Sequence, residues 1–415
     1  MTGLLAITRV RVIDGTGRVM DRASVVVRGD RIADVGASAV VRVPRGASII
    51  DGRGMTLLPG LIDCHVHLCL GGEPDVVARV EQDDPSLTVL KAARYAKQTI
   101  EAGVTTVRDL GARDHAIFSL KRAIDEGVLP GPRIVAAGLA ICTIGGHARF
   151  IGREVAGPDQ VRTLAREQLA AGAGVIKVIA SGGVLTPGTS PDEAQMTAEE
   201  LSSAVEVARQ AGATVAAHAH GASGMKNAAR AGVNSIEHAT LLDDDAAGLL
   251  KQHGCFIVPT LSALATTAAS RRGCGIPDSA LDKAKTMMKR HQRSFGAACR
   301  GGLPIAMGTD AGTPFNFHGD NAQELERMVA LGMTPMKAIL AATSSAARLL
   351  GMQEMIGTIE RGRQADLVLI TGNPLRKIEW LRDRDRIFGV MKGGRFVAGL
   401  LCEGSRGAEP AQRRS

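Results

Sequence analysis

Six times along the chain an amphipathic helical run ends in glycine and passes at once into an apolar strand, at 101–107, 171–178, 210–217, 230–236, 252–258 and 300–307. The glycine suits the left-handed residue that closes a helix, and near-continuous apolar strands are what a parallel sheet buried on both faces requires. The apolar stretches 57–62 and 133–140 bring the strands to eight. Eight alternating units favour an α/β fold built as a closed (β/α)8 TIM barrel over an open doubly wound sheet. No Gly-x-Gly-x-x-Gly follows the first strand to suggest a dinucleotide site. The capping box Thr197-Ala198-Glu199-Glu200 marks one helix start within this region.

The chain ends have a different texture. Short strands broken by Asp-Gly and Gly-Asp turns run from Leu5 to Met55, and the same pattern returns at 357–362, 365–370 and 382–401 with a Lys392-Gly393-Gly394-Arg395 turn. Each partial sheet alone would expose its edges, so the two are expected to pair into one small β-sandwich. The expected organisation is residues 1–56 and 354–402 in the sandwich, 57–353 in the barrel, and 403–415 as a flexible tail.

Composition narrows the function. Among 415 residues only 2% are aromatic, which leaves little to stack on bases, and the net charge of +8 is spread without a Lys/Arg stripe, so nucleic acid is not expected as a partner. There is no signal-peptide pattern at the N-terminus and no apolar run of about 18 residues, so a cytoplasmic protein without membrane contact is expected. The seven cysteines include no Cys-x-x-Cys pair, which argues against disulfides or a thiolate metal knuckle; Cys64 reads as core packing.

The chemistry-bearing residues fall at strand ends. His65 and His67 are two apart, so in a strand they share a face, as two ligands of one metal would. Lys177 interrupts an apolar strand between Ile176 and Val178; His218 and His220 end the fifth strand, His238 the sixth and Asp310 the eighth. Active sites of such barrels lie at the C-terminal ends of the strands, and imidazoles and carboxylates are ordinary ligands of divalent ions. A lysine in that setting has a chemical use, since capture of CO2 makes it an anionic carbamate.

These motifs, Pro59-Gly60-Leu61-Ile62-Asp63-Cys64-His65-Val66-His67, Ala217-His218-Ala219-His220-Gly221, Ser235-Ile236-Glu237-His238-Ala239, Met307-Gly308-Thr309-Asp310 and Ala365-Asp366-Leu367-Val368, resemble the amidohydrolase superfamily. The resemblance is to members with a binuclear, carbamylated-lysine centre, in the imidazolonepropionase-like branch that includes Xaa-Arg/Lys dipeptidases, prolidase-like enzymes and ochratoxinase. It implies two divalent ions, Zn2+ first with Mn2+ or Co2+ as alternatives. His65, His67 and Asp310 would hold one, His218 and His238 the other, and carbamylated Lys177 would bridge them. It further implies amide-bond hydrolysis of dipeptides or N-acyl amino acids, ochratoxin-like amides included, by a metal-bridging hydroxide with Asp310 as proton shuttle.

Other positions carry expectations of their own. His147, in Ile144-Gly145-Gly146-His147, and His220 are expected to touch substrate, although Ala148-Arg149-Phe150 departs from the small acidic turn of the branch. His318 is expected to line the pocket or to cap a helix starting near Asp320, while His115 and His253 read as surface or packing residues. Arg271 and Arg272 read first as solvated loop charges, and with Arg149 they are the alternative candidates for holding a substrate carboxylate. The partners expected are a small-molecule or dipeptide substrate with a free carboxylate and further copies of the chain in a homo-oligomer. Hydrolysis of cyclic amides, carbamates or ureas, and a noncatalytic scaffold of the same fold, stand as alternatives.

Overall fold

The computed structural model describes residues 3–403, with side chains as far as Leu401; the expected tail 403–415 lies outside the described residues beyond Glu403, which ends a final helical turn. The chain opens with β1 (Leu4–Ile13), β2 (Val19–Arg28), β3 (Arg31–Ala37), β4 (Ser48–Asp51) and β5 (Met55–Pro59). In β2 a run of five residues, Ala23–Val27, is buried without interruption; Ala23, Val25 and Val27 pack with Ile7, Val10 and Val12 of β1 and Leu57 of β5, while Val26 packs on the other face with Ala6 and Val41.

Parallel strands follow: β6 (Leu61–Val66), β7 (Val104–Asp109), β8 (Arg133–Ala136), β9 (Ala140–Thr143), β10 (Gly152–Val155), β11 (Val175–Ile179), β12 (Thr214–Gly221), β13 (Ser235–Leu241) and β14 (Phe256–Val258). They form two parallel sheets, β6-β7-β8 and β10-β9-β11-β12-β13-β14, in place of one continuously hydrogen-bonded ring. The expected eighth strand has no ladder of its own. Its backbone nevertheless lies between the two sheets: Ala306 N donates to Ile257 O at 3.0 Å, and Cys64 N donates to Met307 O at 2.8 Å. The segment 133–140 holds β8 and the start of β9 rather than one strand. Helices cover the parallel strands, and the Thr197/Glu200 capping box forms as expected at the helix Ala198–Gln210. Among the described residues no helix is long and apolar enough to cross a membrane.

The chain closes with β15 (Leu367–Thr371), β16 (Ile387–Lys392) and β17 (Arg395–Ala398). β15 lies antiparallel to β5, with Leu369 opposite Leu57, so strands from both ends join a single eight-stranded mixed sheet. That is one hydrogen-bonded sheet where two packed sheets were expected. The stretch 57–59 belongs to it as part of β5 rather than to the first parallel strand, and 357–362 forms no strand. The break at Gly60 has a steric reason: a Cβ there would stand 2.1 Å from Thr105 Oγ1, so the chain turns from one sheet to the other only without a side chain.

Arg133, at the start of β8, ties the mixed sheet to the parallel region. Its Nη1 donates to Asp366 Oδ2 at 2.7 Å and to Thr106 Oγ1 at 3.0 Å, and its Nη2 donates to Gln364. Asp366 also accepts from Gly393 N at 2.7 Å and is almost fully buried. Removing one partner leaves buried groups short of a hydrogen bond. Asp366→Asn is therefore expected to lower stability by roughly 1–3 kcal/mol, read from the urea midpoint at unchanged m-value.

Candidate metal centre

The strand ends bring the predicted residues together. His65 comes from β6 and His67 from the residue just past it, Lys177 from β11, His218 and His220 from β12, and His238 from β13; Asp310 follows the segment between the sheets. All are buried. His65 Nε2 and His67 Nε2 lie 3.3 and 3.2 Å from Asp310 Oδ1, and His238 Nε2 is 2.9 Å from His218 Nδ1. Two groups could hold a metal ion, His218/His220/His238 and His65/His238/Asp310, each with its donor atoms within 4.8 Å of one another. His220 therefore stands as close to a cation position as the other rings on its strand pair.

A fit to divalent ions rests on the unpaired atoms. Lys177 Nζ and Asp310 Oδ1 are buried and have no hydrogen-bond partner, an arrangement that is costly unless something else binds there. The rings are also oriented for it. A carboxylate or carbonyl can only accept, so His65 Nδ1 donates to Glu237 Oε2 (2.8 Å), His67 Nδ1 to Gly111 O (3.0 Å) and His218 Nε2 to Gly182 O (3.2 Å). The lone pairs of His65 Nε2, His67 Nε2 and His218 Nδ1 are thereby left for a cation. His220 Nδ1 and His238 Nδ1 pair with the hydroxyls of Thr240 (2.7 Å) and Thr260 (2.6 Å).

The backbone here is unusual. His238, Ala239, Thr260 and Asp310 have φ of 75°, 49°, 49° and 60°, left-handed values that non-glycine residues adopt at a cost, and they coincide with the site. Gly308 permits the close approach beside them, because a Cβ would lie 2.3 Å from Val258 Cγ1 and 2.9 Å from His65 Cβ.

Burial dominates the electrostatics. It lowers Lys177 to about 8, against the opposing pull of Glu237 and Asp310, and it lowers His65 to about 4 and His147 to about 3, with Lys177 adding to both. His218, His220 and His238 are driven well below the usual imidazole value first by burial and then by neighbouring rings, His147 and His220 acting on His218, His147 and His291 on His220, and His218 and His220 on His238. His67 moves the other way, because Asp310 outweighs its burial. Burial would raise Glu237 and Asp310, but Arg108 and His65 hold Glu237 at about 2, and His65 and His67 keep Asp310 below the usual carboxylate range.

The cavity over the site is walled by apolar side chains, among them Leu70, Phe150, Val184, Leu185, Leu264 and Pro314. His147 and His220 both face it. His318 does not: its Nε2 bonds the carbonyls of His67 and Leu70 at 3.2 and 2.8 Å and its ring stacks on Tyr95, so it braces the turn after β6. Nor does it cap a helix, since the helix Gln323–Ala330 has no side-chain cap. Arg149 and Arg271 are exposed and outside the cavity wall, and Arg272 pairs with Asp278 and Asp282, each at 2.7 Å. His115 bonds Gln168 at 3.0 Å and His253 is exposed, both away from the site.

Sequence reasoning missed several contributors. His291 lines the cavity and bonds His238 O at 3.0 Å; it sits on the buried stripe Ala280, Ala284, Met287, His291, Ser294 of the helix Asp278–Gly301, where a polar residue at helical spacing was a readable signal. Lys283, on the same helix, donates to the carbonyls of Gly183, Thr186 and Thr189 and so pins the loop that carries Val184 and Leu185. Arg108 and Glu237, fully buried beneath the histidines, gave no local signal as a pair.

Comparison with known proteins places the architecture. A family model described as "Amidohydrolase family" matches residues 56–397. Ochratoxinase of Aspergillus niger is 31% identical over 418 residues, covering 93% of this chain and 85% of that protein. Imidazolonepropionase of Anaeromyxobacter sp. (strain K) is 26% identical, with 90% of each covered. Among solved structures, that of a Xaa-Pro dipeptidase with methionine in its active site superposes with a TM-score of 0.88 at 36% identity, covering 95% of this chain and 99% of that one.

The buried titratable groups set a pH dependence for the metal-free protein. His65, His147, His218, His220, His238, His291 and His318 all have depressed folded values, so their contribution is present above about 6.5, the unfolded value, and is lost as pH falls toward 4. Asp63, Asp109 and Glu324 are raised by burial to about 6, 6 and 7, and their contribution is instead lost as pH rises through those values. His67, whose folded value is raised, acts in the same sense as these acids, and the seven depressed histidines outnumber the four groups together. With chelator present, the thermal midpoint is expected to fall steeply between pH 6.5 and 4.5; a flat profile over that range would contradict the neutral, buried state of the cluster.

Proposed function

This chain belongs to the amidohydrolase family, and we propose that it is a binuclear metal-dependent hydrolase of N-acyl amino acids or dipeptides that carry a large apolar group. The observation that carries the reading is the convergence of seven histidines, Lys177 and Asp310 on one apolar-walled cavity, with the lysine amine and a carboxylate oxygen unpaired. His65, His67 and Asp310 would hold one ion, His218 and His238 the second, with Lys177 between them; Zn2+ suits the nitrogen-rich set, and Mn2+ or Co2+ can replace it. The ions, when bound, would supply Lewis acidity that activates water and polarises a carbonyl.

The remaining work falls to the chain. Burial keeps a fraction of Lys177 neutral near pH 7–8, and a neutral amine adds to CO2, losing one proton to give an N-carboxylate anion. Asp310 is placed to take a proton from the attacking water and return it to the leaving nitrogen. His147 and His220 donate hydrogen bonds to the carbonyl or to a substrate carboxylate, while the apolar wall excludes water and receives the acyl group or side chain. The interrupted parallel sheets, joined through residues 303–310, are read as one (β/α)8 barrel that presents these residues at its C-terminal face.

A second reading has its own support. Among the described residues no arginine lines the cavity and Lys177 is the one lysine that does, so the side chains there that can meet a carboxylate are mainly imidazoles and hydroxyls, which favours neutral amides, carbamates or ureas. An N-acyl phenylalanine compared with its methyl amide separates the two: preference for the free acid supports the first reading, and preference for the blocked form supports the second.

Metal analysis with a hydrolysis screen in Zn2+, Mn2+ or Co2+ tests the proposal as a whole, and protein that binds no metal and cleaves none of these classes refutes it. Lys177→Ala is expected to lose metal and most activity, with partial rescue by short carboxylates. Asp310→Asn should reduce kcat by roughly 10²–10⁴-fold through lost proton transfer, with a smaller change in KM. Alanine at His147 or His220 is expected to leave metal content intact, and loss of about one ion from His220→Ala would move that ring into the ligand set.

A further inference from the structure

Consecutive residues of a strand point to opposite faces, yet Glu237 and His238 both reach the site. His238 lies against His218, and Glu237 bonds His65. The left-handed φ of 75° at His238 breaks the alternation and allows this. A strained residue in mid-strand persists only where the surroundings demand it, so the placement of Glu237 needs a reason.

Its contacts supply one. Oε2 accepts from His65 Nδ1 at 2.8 Å; Oε1 accepts from Arg108 Nη2 at 2.9 Å and from Ser235 Oγ at 2.6 Å. Arg108 is fixed in turn, Nη1 donating to Ser235 Oγ at 3.0 Å and Nε to Cys64 O at 2.6 Å, one residue before His65. Both charged side chains have zero exposure. A guanidinium and a carboxylate taken wholly out of water gain little net stability over a well-packed apolar pair, so packing alone does not account for them. What the pair does that an apolar pair cannot is present an acceptor-only oxygen to one nitrogen of His65. The ring must then carry its proton on Nδ1 and turn the Nε2 lone pair toward Asp310.

We propose that Glu237, aligned by Arg108 and Ser235, is a positioning residue that fixes the tautomer and orientation of His65 for metal binding. The proposal rests on the reading of His65 as a ligand, and the experiment separates the two. Metal affinity of the full-length protein is measured by chelator competition for wild type, His65→Ala, Glu237→Gln and Glu237→Asp, with Asp366→Asn as a destabilised control far from the site. Ring-nitrogen NMR shifts of His65 are recorded on the metal-free protein.

Glu237→Gln is nearly isosteric but offers an amide that can donate to Nδ1. It is expected to shift His65 toward the Nε2–H form and to weaken binding by roughly 10–100-fold. Glu237→Asp keeps the charge beside Arg108 while withdrawing the oxygen from His65, so it should weaken binding likewise and serves if the glutamine variant does not fold. Asp366→Asn should bind as wild type. Unchanged affinity in His65→Ala overturns the ligand reading beneath the proposal. Lost affinity in His65→Ala with wild-type affinity and unshifted nitrogens in the Glu237 variants overturns the positioning role itself.

Discussion

An ion pair with no access to solvent, Arg108 with Glu237, lies under the histidines and bonds the His65 ring and the Cys64 carbonyl beside it. Desolvating both charges is expensive, and the interior tolerates them because nearly every polar atom of the pair is satisfied: by each other, by Ser235, by the Cys64 carbonyl and by the His65 ring. A comparable economy holds above Asp63, whose two oxygens accept from His65 N, Thr309 N, Thr309 Oγ1 and Asn321 Nδ2. These bonds lock the segment that carries Asp310 to the strand that carries His65. This face is thus set by a polar framework inside an otherwise apolar core, and Lys177 Nζ and Asp310 Oδ1 are left without hydrogen-bond partners in it.

Much of this was legible in sequence because spacing and burial coincide. His65 and His67 are two residues apart, and Lys177 is flanked by residues that are themselves buried. Each anomaly could be seen locally. His318 was misplaced because chain proximity to Asp310 says nothing of which way a loop folds; its ring turns to backbone carbonyls on the far side of the turn after β6. Arg108 and Glu237 are separated by more than a hundred residues, and no local pattern reports such a pairing.

The fold was readable by the same measure. Glycine-closed helices and apolar strands marked the parallel region, and the turn Lys392 to Arg395 joins β16 to β17 as expected. The boundary after β5 was not visible, since Met55–Pro59 and Leu61–Val66 are both apolar and one tight passage at Gly60 separates them. The eighth segment, expected as a strand at 300–307, holds its place by backbone bonds to neighbours on either side without forming a ladder. The sheet that joins the chain ends was expected as a pair of layers, and hydrogen bonding instead runs through all of its strands.

The pairing of β5 with β15 also has a consequence in time. A ribosome releases β5 long before β15, which begins 308 residues after β5 ends (367 minus 59). At about 5–20 residues per second the edge of β5 stays open for roughly 15–60 seconds. Throughout that interval the nascent chain exposes a hydrogen-bonding strand with Leu57 and Leu58 on it, the kind of edge that recruits other strands. The central region has the whole of this period to assemble, so its helices and parallel strands can form before β15 reaches β5 and covers that edge.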